Sequence, residues 1–224
     1  MNEEIKTAPL CCAPEPLEEQ PYGQEFWNGK YQVGETAWDL NGPSPALVKA
    51  FAKWQNKEAR ILIPGCGSAW ETDALLEMGF THITLIDIAP DLVAQLKTKY
   101  ADRADRVTVL EGDFFQLEGQ FDVVVEQTFF CALPPLLRSA YVRKMYHLLA
   151  SKGEIVGLLF NRDFEQDGPP YGGTAEEYKG LFEPYFHLLT MENSVDSHPK
   201  RLGTELFITF EKKCAECANL NLKK

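Results

Sequence analysis

Four breaks between apolar runs carry residue types suited to holding a nucleoside. The first is Pro64-Gly65-Cys66-Gly67-Ser68-Ala69-Trp70. A Gly-x-Gly turn between a strand and a helix lets backbone N–H groups come close to a ligand; an ordinary tight turn is the alternative. The second is Asp87, 22 residues after Gly65. A carboxylate at a strand end can accept both hydroxyls of a ribose, or it can cap the helix that opens near Pro90. The third is Gly112-Asp113-Phe114-Phe115. An Asp beside an aromatic suits adenine, with the carboxylate on the exocyclic amine and the ring on the base face; the alternative is a turn Asp with two core phenylalanines. The fourth is Glu126-Gln127-Thr128-Phe129-Phe130-Cys131-Ala132-Leu133-Pro134-Pro135, a polar strand end running into an apolar stretch, which reads as a pocket wall. A dinucleotide fingerprint would need Gly at position 70; Trp70 disfavours an NAD-dependent oxidoreductase.

These breaks are positioned by alternating elements. Strands are expected at 60–64, 82–88, 106–113, 121–127 and 153–160, with helices from Pro45, over 71–78, 89–100, 134–153 and 174–182. Ser44 and Pro45 give a cap and a first helical residue, and glycines stop the later helices. Alternation of this kind specifies an α/β fold: a doubly wound, mostly parallel seven-stranded sheet covered on both faces. Two final strands joined by a loop alone should pair antiparallel. Ligands in such folds bind outside the carboxyl ends of the strands, where all four breaks fall. Residues 1–21, rich in Glu and Pro, read as a flexible lead-in, 22–213 as one domain, and 214–224 as a tail. Residues 22–43 are rich in aromatics and Gly and read as an irregular lid.

The chain has 224 residues with 22 Lys+Arg against 33 Asp+Glu, a net charge of −11. That balance argues against nucleic acid or an anionic membrane as a partner. No apolar run approaches the ~20 residues that span a bilayer, and the N-terminus lacks a signal-peptide pattern, so the expectation is a cytoplasmic protein with reduced thiols. Cys66 and Cys131 read as core residues, and a metal site built from Cys11, Cys12, Cys214 and Cys217 is disfavoured because the first pair is adjacent. No metal is expected. Monomer and homodimer both stay open.

Taken together, the Gly turn, the acid ending strand two and the Asp after strand three resemble the class I S-adenosylmethionine-dependent methyltransferases. Within them the chain is similar to the thiopurine and thiol/halide methyltransferase group. The segments that carry the likeness are Phe26-Trp27, Trp38-Asp39, Gly42-Pro43-Ser44-Pro45, Ile63-Pro64-Gly65-Cys66-Gly67, Thr128 through Pro135 with Arg138, and Gly168-Pro169-Pro170-Tyr171. The resemblance implies S-adenosyl-L-methionine as methyl donor, S-adenosyl-L-homocysteine as product, and a small-molecule acceptor. It also implies cofactor contacts at Trp27, Tyr31, Trp38, Gly65, Gly67, Asp87, Asp113, Phe114 and Gln127. Tyr31 stands where related plant enzymes have a tryptophan, Gln127 where they commonly have a tyrosine, and Phe160 where a tyrosine often ends strand five.

A methyl on a sulfonium is held well by aromatic rings. Transfer to a thiolate or halide neutralises both charges, so a dry apolar site favours it. Phe129, Phe130, Leu133, Arg138, Phe160 and Tyr171 are the candidate acceptor pocket. The expected acceptor is a small soft nucleophile: thiol, thiopurine, halide, thiocyanate or chalcogen. The rivals are an O- or N-methyltransferase and a cofactor-binding pseudo-enzyme. An O- or N-acceptor more often requires a base, and the candidates Glu126, His147, His187 and His198 are scattered.

Overall fold

The computed structural model describes residues 22–215 and 218. The lead-in, Cys11, Cys12, Cys217 and most of the expected tail lie outside the described residues.

The first element is α1 (Gln24–Gln32), followed by α2 (Pro45–Ala52), β1 (Arg60–Pro64), α3 (Trp70–Glu77), β2 (His82–Asp87), α4 (Pro90–Lys99) and β3 (Val107–Glu111). Then come β4 (Phe121–Gln127), α5 (Arg138–Leu148), β5 (Leu149–Phe160), α6 (Ala175–Phe182), β6 (Phe186–Asn193) and β7 (Glu205–Lys212). The strands form one seven-stranded sheet in the order β3-β2-β1-β4-β5-β7-β6. Strands β3 through β5 in that row pair in parallel, and β7 pairs antiparallel with both β5 and β6.

Alternation along the central strands sends side chains to two cores. Ile61, Ile63, Val123 and Val125 pack with Leu47, Phe51, Leu75 and Leu92 from α2, α3 and α4. Leu62, Val124 and Ile155 face Tyr141, Met145, Tyr178 and Phe182 from α5 and α6. A period of two in strands buried on both faces produces the continuous apolar runs of the sequence.

Two segments differ from the sequence expectation. Residues 24–32, expected to be irregular, form α1. The helix buries no residue and has no side-chain cap, so neither periodicity nor a start signal marks it. Trp27 and Tyr31 pack it, partly buried, on the core, and polar ties reach α4: Asn28 Nδ2 and Gln32 Nε2 donate to Asp91 Oδ2 at 3.0 and 2.7 Å, and Asp91 N–H returns a bond to Asn28 Oδ1 at 2.9 Å. These bonds hold the Asp91 carboxyl below the usual carboxylate range. The second difference is the helix expected over 134–153. It begins as a single turn, Pro135–Leu137, and α5 gives way to β5 at Leu149. Leu149 and Ala150 continue the helical apolar pattern, but Leu149 pairs with Phe121 across a bulge, and Lys152 turns at φ 60°.

Because β7 runs opposite to β5, its first residue Glu205 pairs with Phe160, the last of β5. The β6–β7 connection therefore reaches the edge at which β1 to β5 end. No helix among the described residues is long and apolar enough to cross a membrane.

Candidate active site

A cleft of about 700 Å³ opens over that edge. Its floor is the turn after β1. Gly65 and Gly67 sit at φ 54° and 50°, in the left-handed region that side chains avoid. Gly65 has a second reason to be glycine: a Cβ there would lie 2.2 Å from the Phe129 ring. Asp87 ends β2 beneath this turn, 8% exposed. It accepts the N–H of Gly67 at 3.2 Å and of Ala89 at 3.0 Å. Burial raises its pKa, and the backbone N–H groups oppose that rise. Asp87 lines the cleft, and its carboxylate braces the residue that precedes α4 without capping the helix itself.

Asp113 and Phe114 follow β3 and line the same cleft. Asp113 Oδ1 accepts Phe115 N–H at 2.9 Å. The Phe114 ring is 4% exposed and packs against Phe115, Phe129 and Tyr141 with centroids 5.1 to 5.7 Å away. It is therefore mostly core.

The roof comes from the N-terminal segment. Trp38 meets Trp27 at 5.5 Å and Tyr31 at 5.7 Å, both edge to face. Burial and the nearby Asp87 push the Tyr31 hydroxyl pKa far up, so it stays a neutral donor. This roof is tied to the floor through Asp39. Trp70 Nε1 donates to Asp39 Oδ1 at 2.8 Å, and Ser68 Oγ donates to Oδ2. Although burial opposes ionisation, the bonds from Ser68, Asn41 N–H and Trp70, with the charge of Arg201, hold Asp39 below the usual carboxylate range. Trp70 therefore fastens the roof.

The far wall is built from Gln127, Thr128, Phe129, Leu133 and Phe160, with Arg162, Phe164, Pro169 and Pro170 beyond. Thr128 has φ 61°, uncommon for a β-branched residue, and its Oγ1 donates to Gln127 O at 2.6 Å. Gln127 Oε1 is buried with no hydrogen-bond partner, an acceptor available to a ligand.

Three candidates for the acceptor pocket lie outside the cleft lining. Phe130 is 1% exposed, packed on Tyr141 and Tyr178. Arg138 is 4% exposed; its guanidinium pairs with Glu177, donates to Gly172 O at 2.6 Å and lies over the Phe130 ring. It joins α5 to α6 and does not line the cleft. Tyr171 hydrogen-bonds through its backbone to Cys131 O at 2.7 Å and its ring meets Tyr22 at 6.4 Å. Burial and Tyr22 push its hydroxyl up to about 12.

The base candidates are also elsewhere. Glu126 is 1% exposed and accepts from Phe129 N–H at 2.8 Å, Phe130 N–H at 2.9 Å and the Tyr141 hydroxyl. His147, His187 and His198 do not line the cleft. Two residues had no signal in the sequence, Asp39 as a tie and Arg201. Arg201 is 7% exposed; it donates to Trp38 O at 2.6 Å, pairs with Glu205 at 3.4 Å and sits 5.5 Å from the Phe160 ring centroid. These contacts span up to 163 positions, beyond the reach of any local pattern.

Glycines that admit close approach, a buried carboxylate at the cleft floor, an aromatic roof and an orphaned amide oxygen together fit S-adenosyl-L-methionine. Comparison with known proteins decides the family: residues 22–215 match thiopurine S-methyltransferase. The chain belongs to the thiopurine S-methyltransferase family. It is an S-adenosyl-L-methionine-dependent methyltransferase. Among relatives of this family, it is 31% identical over 162 residues to an Arabidopsis thaliana protein named "Probable thiol methyltransferase 2", covering 70% of this chain and 71% of that one. It is 27% identical over 184 residues to "Thiocyanate methyltransferase 1" of Brassica oleracea, covering 80% and 81%. The fold is similar to that of the Burkholderia thailandensis 1,6-didemethyltoxoflavin-N1-methyltransferase, with TM-score 0.64 at 20% identity, covering 85% of this chain and 87% of that one.

Proposed function

We propose that this methyltransferase acts on a small soft nucleophile: a thiol, thiopurine, halide, thiocyanate or chalcogen. The observation that carries the reading is the far wall of the cleft, where Phe129, Leu133, Phe160 and Phe164 present apolar surface and no histidine. The thiol and thiocyanate enzymes among its relatives support it. An O- or N-acceptor, the second reading, would more often need a base, and Glu126 is committed to the turn after β4.

When bound, S-adenosyl-L-methionine supplies a methyl group on a positively charged sulfonium. Trp27, Tyr31 and Trp38 form a wall attractive to that cation, worth roughly 0.5–2 kcal/mol per ring. Asp87 takes the ribose hydroxyls and Asp113 the adenine amine, while the backbone at Gly65 and Gly67 leaves room for close approach. Phe114 fills the core behind the base. Gln127 Oε1 takes a donor from the bound ligands. Phe129, Leu133 and Phe160 exclude water, so an anionic acceptor loses its hydration as it is aligned for in-line attack.

The catalytic domain spans 22–213 with residues 22–43 as its lid, and the protein is cytoplasmic, working on small molecules without nucleic acid or membrane. The test is an acceptor panel of thiols, iodide, thiocyanate, catechols and amines with labelled methyl donor. Preference for thiols or the inorganic anions is expected; preference for catechols or amines overturns the reading.

A further inference from the structure

Charge is divided across the cleft. The carboxylates that line it, Glu35, Asp39, Glu71, Asp87 and Asp113, all precede position 114. Arg162, Lys200 and Arg201 all follow position 160, on the β5–α6 and β6–β7 connections. Lys30, the one lining cation on the acidic side, is paired with Glu35 at 2.6 Å. In a chain of net charge −11, this collects positive charge beside the apolar wall of Phe160 and Phe164.

Two of these cations are unpaired. Arg201 has Glu205. Arg162 and Lys200 have no carboxylate partner among the described residues, although Asp163, Glu165 and Asp167 share the loop of Arg162. The Arg162 backbone is fixed by its bridge to Gly173, whose N–H donates to Arg162 O at 3.0 Å, and a Cβ at Gly172 would lie 2.0 Å from that same oxygen. Its guanidinium lies 4.8 Å from the Phe164 ring centroid, and Phe164 in turn packs on Phe160 at 5.0 Å. Beyond Nε, which donates to Asp163 O at 3.2 Å, its nitrogens bond to no described residue. A guanidinium steadied on a ring with its fork free is suited to a carboxylate. Lys200 is held in the turn in which Arg201 N–H donates to His198 O at 2.7 Å.

We propose that Arg162 and Lys200 form an anion-recognition subsite at the mouth of the acceptor pocket, and that the acceptor is a thiol carrying a carboxylate. The inference rests on the soft-nucleophile reading and names its substrate class. The carboxylate is held at the rim, and the thiol reaches inward past Phe160 and Phe164. The thiol gives its proton to solvent. Its sulfur then forms the bond to the methyl carbon as the sulfonium–methyl bond breaks, and that electron pair stays on the sulfur of S-adenosyl-L-homocysteine. The products are a thioether that keeps its carboxylate and the neutral sulfide.

The experiment compares 4-mercaptobenzoate with 4-mercaptobenzamide, which share ring and thiol and differ in charge. It uses the full-length enzyme, Arg162→Gln, Lys200→Gln and the double variant. The wild-type kcat/KM should favour the carboxylate by about tenfold, a ratio that shrinks in about 0.5 M salt and falls severalfold in each variant. A wild-type ratio near one, or a ratio untouched by the double variant, overturns the subsite. Calorimetry of benzoate and benzamide on the S-adenosyl-L-homocysteine complex gives a second readout without turnover. Tighter binding of benzoate, lost in the double variant, supports the subsite even if neither thiol is methylated, an outcome that would instead remove the soft-nucleophile reading. Equal binding of the two overturns the subsite.

Discussion

Trp70 and Asp39, 31 positions apart, are joined by a 2.8 Å hydrogen bond from indole N–H to carboxylate. The bond ties the N-terminal roof of the cleft to the first turn of α3, and Ser68 adds a second bond to the same carboxylate. Removing it should loosen the roof without disturbing the sheet. Asp39→Asn weakens charge-assisted bonds worth roughly 1.5–3 kcal/mol each. Affinity for S-adenosyl-L-homocysteine should fall by about tenfold, and amide exchange over 24–43 should rise. Donor binding should also slow exchange across that segment in the wild type. Identical exchange in wild type and Asp39→Asn, with and without ligand, would show that 22–43 is not a lid.

Asp87→Ala removes the carboxylate beneath the Gly turn. Two backbone donors, Gly67 and Ala89, lose their partner, and the proposed ribose contact loses its acceptor. Calorimetry should show at least a tenfold weaker complex with S-adenosyl-L-homocysteine, consistent with loss of about 1.5–3 kcal/mol per charge-assisted bond. Unchanged affinity would remove the ribose assignment.

Gly65→Ala should be harmful for two separable reasons. A left-handed alanine costs roughly 1–2 kcal/mol. The added methyl also meets the Phe129 ring at 2.2 Å, which must move the acceptor wall. Thermal unfolding should drop in the single variant, and Gly65→Ala with Phe129→Ala should recover donor binding in part, since only the steric cost is relieved. If the pair behaves as two independent losses, the contact carries no weight.

Glu126 gives a pH dependence. Burial raises its carboxyl from the ordinary 4.5 to about 7 against the pull of Tyr141 and two backbone N–H groups. Between those values the folded protein holds a proton that the unfolded chain has released, so stability from this group is full below about pH 4.5 and is lost as pH rises through about 7. The loss is roughly 3 kcal/mol. Glu126→Gln keeps the shape and removes the titration. Denaturant unfolding should show the variant gaining on wild type by roughly that amount across this window. Parallel curves would mean that Glu126 does not titrate there.

The place of Gly65, Asp87 and Asp113 on the cleft was readable because they follow directly on short apolar strands: Gly65 after β1, Asp87 at the end of β2, Asp113 after β3. A parallel sheet places all such positions on one edge. What escaped was held by distant partners. Helix α1 has no fully buried residue, and it is held by the packing of Trp27 and Tyr31 on the core and by Asp91, both distant in sequence. Arg201 is one residue of a loop, and its meaning lies in Trp38 and Glu205. Arg138 and Phe130 lie off the cleft lining, because a residue one to five places from a pocket wall can belong to the core behind it. The start of β5 was hidden because Leu149 suits a helix and a strand equally well.

The antiparallel insertion of β7 between β5 and β6 separates the two sides of the cleft along the chain. Under the proposed function, the cleft lining up to Asp113 faces the methyl donor and the lining from Arg162 to Thr204 faces the acceptor. Arg201 with Trp38 O, Asp196 with Lys49 and Tyr171 with Tyr22 join the later stretch to the earlier one, and a graft that keeps these contacts leaves the earlier one intact. A descendant could thus inherit the donor half intact while its loops drift toward new acceptors. In a chimaera carrying a relative's β5–α6 and β6–β7 connections, acceptor preference should travel with the graft and donor affinity should stay with the host.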